Sequence, residues 1–155
     1  MPSCIFCDIV SGKVPSFKIY EDDSYIGALD KFPNTKGQSL VMPKRHHGSY
    51  LFDLDDQTIS ECILAAKRVA KVLERGLDVG RVHVVFEGTG VNHLHAKLYP
   101  AIGTTKTFEE KIAEGRVFFY TYPGYVSTLL GPVADDETLK KLQADILGKS
   151  ATGKR

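Results

Sequence analysis

The segment Gly88-Thr89-Gly90-Val91-Asn92-His93-Leu94-His95-Ala96-Lys97-Leu98-Tyr99-Pro100 sets reactive side chains at every second position behind a glycine-rich approach. Side chains of an extended chain alternate between faces, so His93, His95 and Lys97 share one face while Leu94, Ala96 and Leu98 bury the other. Same-face neighbours then stand about 7 Å apart, close enough for two imidazoles and an ammonium to surround one small anion or a metal. Spacing alone leaves three readings of the histidines: metal ligands, a nucleophile with a supporting partner, or ordinary strand residues. The glycines favour an anion, because Gly88 and Gly90 bracket Thr89 and let backbone amides approach a phosphate. Thr89 can add its hydroxyl to that cradle, or serve turn geometry alone. A neutral imidazole is a competent nucleophile near pH 7, and a covalent phosphorus–nitrogen intermediate divides one hard displacement into two easier ones. Activity of that kind should fall as the pH drops below about 6.5, where a free histidine takes its proton.

Cys4 and Cys7 form a second cluster with three readings: a redox couple, half of a zinc site, or unliganded thiols. The third cysteine, Cys62, falls near an apolar helical stripe and reads as a small buried residue. An odd count without an export signal argues against a disulfide scaffold.

These groups need elements to hold them. A chain of 155 residues with 43% hydrophobic content is long enough for one core, expected as a single domain over residues 1–149 with a polar, disordered tail at 150–155. Ser16–Tyr20 reads as extended, and Ser24–Leu29 as a strand ending where Asp30 opens a turn. Gln38–Met42 is a strand stopped by Pro43. The helix signal is clearest from Asp55 to Leu77, where apolar residues recur at three- and four-residue steps behind an Asp55 or Asp56 cap. Arg81–Phe86 is a valine-rich strand leading directly into the histidine strand, hence its antiparallel neighbour. Beyond Pro100 the expectations are a helix over Phe108–Glu114, a strand over Phe118–Tyr122 and an amphipathic helix over Asp135–Leu147. The fold class is α+β, an antiparallel sheet with helices packed on one face.

Charge excludes some partners. A formal net charge of +1, with no basic run before the last few positions, offers no footprint for nucleic acid and points to a small soluble ligand. No apolar stretch approaches the ~20 residues of a membrane span, and the first residues lack a signal-peptide layout, so a cytoplasmic protein without membrane association is expected.

Taken in order, several stretches resemble the histidine triad (HIT) family of nucleotide hydrolases and transferases. They are Cys4-Ile5-Phe6-Cys7-Asp8-Ile9-Val10-Ser11-Gly12-Lys13-Val14-Pro15, Ile19-Tyr20-Glu21-Asp22, Ala28-Leu29-Asp30-Lys31-Phe32-Pro33, Gly37-Gln38-Ser39-Leu40-Val41-Met42-Pro43-Lys44-Arg45-His46, and the histidine segment. The resemblance implies a HIT-like fold and attack by the middle histidine on the α-phosphate of a purine ribonucleotide conjugate, a phosphoramidate or a dinucleoside polyphosphate. Register from Pro100 makes His95 the nucleophile and His93 the first histidine. Lys97 stands in place of the third; it keeps a cation but passes a proton less readily near neutral pH. The resemblance also implies a structural Zn2+ held by Cys4, Cys7, His46 and His93, with His47 as the alternative ligand, as in a bacterial-type branch. Asp30 takes the place of the ribose-binding acid, with Ile26, Ala28 and Phe32 flanking the base, and Gly88, Thr89 and Gly90 contact the phosphate. A homodimer paired through the long helix is implied. Two rivals stand beside the enzyme: a catalytically impaired nucleotide-binding regulator, and a zinc-supported interaction module.

Overall fold

A computed structural model describes residues 4–152, which fall into two compact units meeting at the Glu110–Lys111 bond. In the first unit, α1 (Ile5–Val10) precedes β1 (Lys18–Glu21), β2 (Tyr25–Leu29) and β3 (Ser39–Pro43). Helix α2 (Asp56–Leu77), β4 (Val82–Val85) and β5 (Ala96–Pro100) follow. The five strands form one antiparallel sheet in the order β1-β2-β3-β5-β4. The α+β class expected from the pattern is the one observed.

Helix α2 starts at Asp55, whose carboxylate accepts from the Thr58 amide at 2.9 Å and the Thr58 hydroxyl at 2.8 Å. Its buried face, Cys62, Ala65, Ala66, Val69 and Leu73, packs with Tyr25, Val41, Leu94, Ala96 and Leu98 on one side of the sheet. Gly27 allows this close approach, because a Cβ there would come within 2.6 Å of Val69 Cγ2. On the opposite side, Phe6 of α1 packs with Ile26, Ala28 and Met42. The sheet is therefore covered on both faces near β2 and β3. α1 had no sequence signal beyond its cysteines.

Three local expectations are corrected. Regular pairing of the histidine segment begins only at Ala96, because the His93 and Leu94 amides are engaged before it, with Val91 O at 2.8 Å and His47 O at 3.0 Å. The alternation survives: Leu94, Ala96 and Leu98 all face α2. No helix forms over Phe108–Glu114, where Phe108 is 74% and Ile112 59% exposed; a helix that short needs a surface to pack on. Phe118–Tyr122 forms no strand either, and the nearest ladder is a single bridge between Arg116 and Leu130.

In the second unit the expected C-terminal helix forms as α3 (Asp136–Thr152). It extends past the expected end at Leu147, so the coil expected from Ser150 is helical to Thr152; the remainder of that tail, 153–155, lies outside the described residues. No helix among the described residues is long and apolar enough to cross a membrane.

Candidate functional site

The end of β3, the loop after it and the approach to β5 bring His46, His93 and His95 beside α1. Cys4 Sγ stands 3.4 Å and Cys7 Sγ 3.6 Å from His93 Nδ1, and Cys7 Sγ stands 3.4 Å from His46 Nδ1. One ligand atom from each of these four residues lies within 4.8 Å of the others, so the group can hold a metal ion. His93 Nε2 lies 2.9 Å from the carbonyl of Pro43. A carbonyl only accepts, so Nε2 carries the hydrogen and the Nδ1 lone pair faces the sulfurs. Burial holds His93 below the ordinary histidine value, which favours that neutral form. His47, the alternative ligand, instead lines a cavity of about 630 Å³ with Lys44, Arg45 and Asp55.

His95 follows the same logic two residues later. Its Nδ1 lies 2.7 Å from the carbonyl of His93, so Nδ1 is the donor and Nε2 bears the lone pair. Nε2 has no hydrogen-bond partner among the described residues, and no enclosed side-chain nitrogen or oxygen there lacks one, so this atom opens to solvent although the residue is only 4% exposed. Phe6 sets its ring edge-on against both imidazoles, with centroids 5.7 Å from His93 and 5.0 Å from His95. Burial lowers the His95 pKa and Lys97 adds to the effect, against the His93 carbonyl, Glu87 and Asp30. The neutral ring thus persists to lower pH than a free histidine's.

Lys97 is engaged. Its Nζ lies 2.6 Å from Glu87 Oε2, and the pair is largely screened from solvent, with side chains 27% and 13% exposed. The hydrogen bond to Glu87 raises the Lys97 pKa, so the ammonium stays charged. Thr89 donates its hydroxyl to Glu87 Oε1 at 3.0 Å. Gly88 adopts φ +69°, and a Cβ there would meet the Ser49 carbonyl oxygen at 2.6 Å; the glycine is required by this backbone approach. At Gly90 a Cβ would meet open space.

Asp30 sits just past β2 and caps its own turn, taking the Phe32 amide at 2.9 Å and the amide of buried Gln38 at 2.7 Å. The residues named as flanking a base separate: Ile26 and Ala28 are core, while Phe32 is 83% exposed.

Sequence reasoning missed Glu87, Gln38 and Phe6. Glu87 lies two residues past Val85, which pairs with Lys97 across the sheet, so strand alternation puts it on the Lys97 side; that register is set by the sheet and had no signal in the sequence. Phe6 had only its place inside the cysteine pair.

Residues 11–100 match the family model described as the HIT domain. An uncharacterized HIT-like protein of Mycoplasma genitalium is 36% identical over 111 residues, 68% of this chain and 78% of that protein. A Candida albicans protein named adenosine 5'-monophosphoramidase is 35% identical over 107 residues, 63% of this chain and 70% of its own length. Among solved structures, a member of the HIT family from Bacillus subtilis superposes with a TM-score of 0.63 at 25% identity, covering 94% of this chain and 96% of that one.

Proposed function

The chain belongs to the HIT domain family, and on that premise we propose that it is a nucleotide hydrolase or nucleotidyl transferase acting at the α-phosphate of purine ribonucleotide conjugates. The observation that carries this reading is the His95 ring, held by the His93 carbonyl with its Nε2 lone pair facing outward. In the first step that lone pair forms a bond to the α-phosphorus, and the bond to the leaving group breaks with its electron pair, which takes up a proton. In the second, a water or other acceptor oxygen attacks phosphorus, the phosphorus–nitrogen bond breaks, and the imidazole recovers its pair while the acceptor's proton leaves. Lys97 balances developing negative charge, and the backbone amides of Gly88, Thr89 and Gly90 position the phosphate. Asp30 keeps lone pairs beyond its turn bonds for the ribose hydroxyls. Phosphoramidates and dinucleoside polyphosphates are the substrate candidates, in the cytoplasm.

A structural Zn2+ completes the reading, held by Cys4, Cys7, His46 and His93. Sulfur at ~2.3 Å and nitrogen at ~2.0 Å from a tetrahedral zinc are separated by about 3.5 Å, which fits the observed 3.4 to 3.6 Å. All four positions are protein ligands, so the metal's part is to pin α1 to the segment bearing the nucleophile. Elemental analysis should find about one zinc per chain, lost in Cys7→Ser; a metal-free, fully stable protein refutes this. Residues 1–149 act as one domain in a homodimer paired through α2, which exposes Ile63 and Leu64 at 48% and 51%. One calorimetric transition and a dimeric mass by light scattering support these statements, and two transitions or a monomer refute them.

The chemistry is tested by incubation with an adenosine phosphoramidate, acid quench and mass spectrometry. A nucleotide adduct on His95 is expected, with turnover falling at least ~10³-fold in His95→Ala while nucleotide affinity survives. The Lys97–Glu87 pair favours one second reading, a catalytically impaired nucleotide-binding regulator, which predicts affinity without adduct or turnover.

A further inference from the structure

The charges around His95 do not add up to a cationic phosphate pocket. The largest charge effects on its ring come from Lys97 on one side of the balance and from Glu87 and Asp30 on the other. Lys97 is the only cation of the three, and it is already paired with Glu87 at 2.6 Å. Glu87 is held from its other oxygen by Thr89, and its side chain is only 13% exposed, so it has little room to swing into water when a ligand arrives. An incoming phosphate therefore shares Lys97 with a fixed carboxylate.

We propose that Glu87 determines specificity: by neutralising Lys97 it selects nucleotide conjugates with one negative charge at the reacting phosphate and a neutral or cationic leaving group, and it disfavours polyphosphate leaving groups. The inference rests on the nucleotidyl chemistry assigned above and names which conjugates that site takes. The reason is Coulombic. A singly charged phosphate meets one ammonium and one carboxylate at short range, and attraction offsets repulsion. Each further phosphate adds negative charge, while Lys97, the cation with the largest effect on His95 among the described residues, is already shared with Glu87. Interactions of this kind are strong where side chains are screened from solvent, as these are.

Two measurements on the full chain test it, using wild type, Glu87→Gln and Glu87→Asp. The first is kcat/KM for adenosine 5'-phosphoramidate and for diadenosine tetraphosphate. Wild type should prefer the phosphoramidate, and Glu87→Gln, which keeps an acceptor for Lys97 but removes the charge, should shift the ratio toward the tetraphosphate by at least about tenfold, the scale of one unit charge about 12 Å away at an effective dielectric of ~20. Glu87→Asp should restore the wild-type preference, which a merely structural role for Glu87 would not do. The shift should shrink in high salt. A ratio unmoved by Glu87→Gln, or a wild-type preference for the tetraphosphate, overturns the proposal.

The second measurement separates this failure from failure of the catalytic reading. Calorimetric titration with AMP and with ADP needs no turnover. If neither conjugate is cleaved, the catalytic reading falls. A gain in ADP over AMP affinity in Glu87→Gln still supports charge selection at this site, and equal changes for both ligands overturn it. Absence of binding to either nucleotide overturns both.

Discussion

Helices α2 and α3 begin with the same device, an aspartate whose carboxylate takes the amide and the hydroxyl of a threonine three residues on: Asp55 with Thr58, and Asp135 with Thr138. Beyond the first turn they diverge. α2 buries Cys62, Ala65, Ala66, Val69 and Leu73 against a sheet. α3 carries Leu139, Leu142 and Ile146 at similar steps, and they are 51%, 52% and 55% exposed. Between residues 101 and 148 no side chain is buried at all. A cap is local chemistry and forms wherever its four residues occur; a buried stripe exists only where another element supplies the opposing surface.

The sharpest way to break this comparison is to truncate one leucine in each helix. Leu73→Ala should destabilise the protein by about 2–5 kcal/mol, since the site is enclosed, whereas Leu142→Ala should change stability by less than about 0.5 kcal/mol. Urea unfolding reads both, and equal losses would show that the exposed stripe of α3 is covered in solution. Next in size is the helix–sheet contact itself. Gly27→Ala forces a methyl against Val69 and should cost about 1–3 kcal/mol, with part of the loss recovered when Val69→Ala makes room. Additive losses would mean the two sites do not share that contact.

The smallest effects concern the caps, and here the two helices should agree in sign and differ in consequence. Hydrogen bonds from the Thr58 amide and hydroxyl hold Asp55 below the ordinary aspartate range, and those from Thr138 do the same for Asp135. A carboxylate depressed in the folded state stabilises above its unfolded pKa, and that stabilisation is lost as pH falls through the folded value. Acid titration should therefore weaken both helix starts. Asp55→Ala should lower the main melting transition and flatten its dependence on acid pH. Asp135→Ala should reduce far-ultraviolet helicity and lower that transition by less. An equal shift in the two variants would erase the distinction.

The first hundred residues were legible for reasons that reach only a few positions along the chain. Alternation placed Leu94, Ala96 and Leu98 on the core side. Periodicity and one cap located α2 to within a residue, and Asp30 ended its strand as expected. Past Pro100 the same cues located α3 but misled before it. Phe108–Glu114 and Phe118–Tyr122 have the composition of a helix and a strand, yet among the described residues neither packs its apolar side chains into a core or pairs as a strand. The candidate site was legible in its histidines and cysteines, whose chemistry is carried by residue type and spacing. The bonds that aim them were not: Pro43 O to His93 spans 50 positions in sequence and Cys4 to His93 spans 89.

By itself the sequence determined which atoms can do chemistry, where the long helix starts and which face of the histidine segment is apolar, because each of these depends on neighbours within a turn or two. The tertiary structure alone decided that His93 offers Nδ1 to the thiols and His95 offers Nε2 outward, since a backbone carbonyl selects each tautomer. It also decided that the cation beside them is held by Glu87, because cross-strand pairing brings residues 87 and 97 to the same place while their sequence separation says nothing of it.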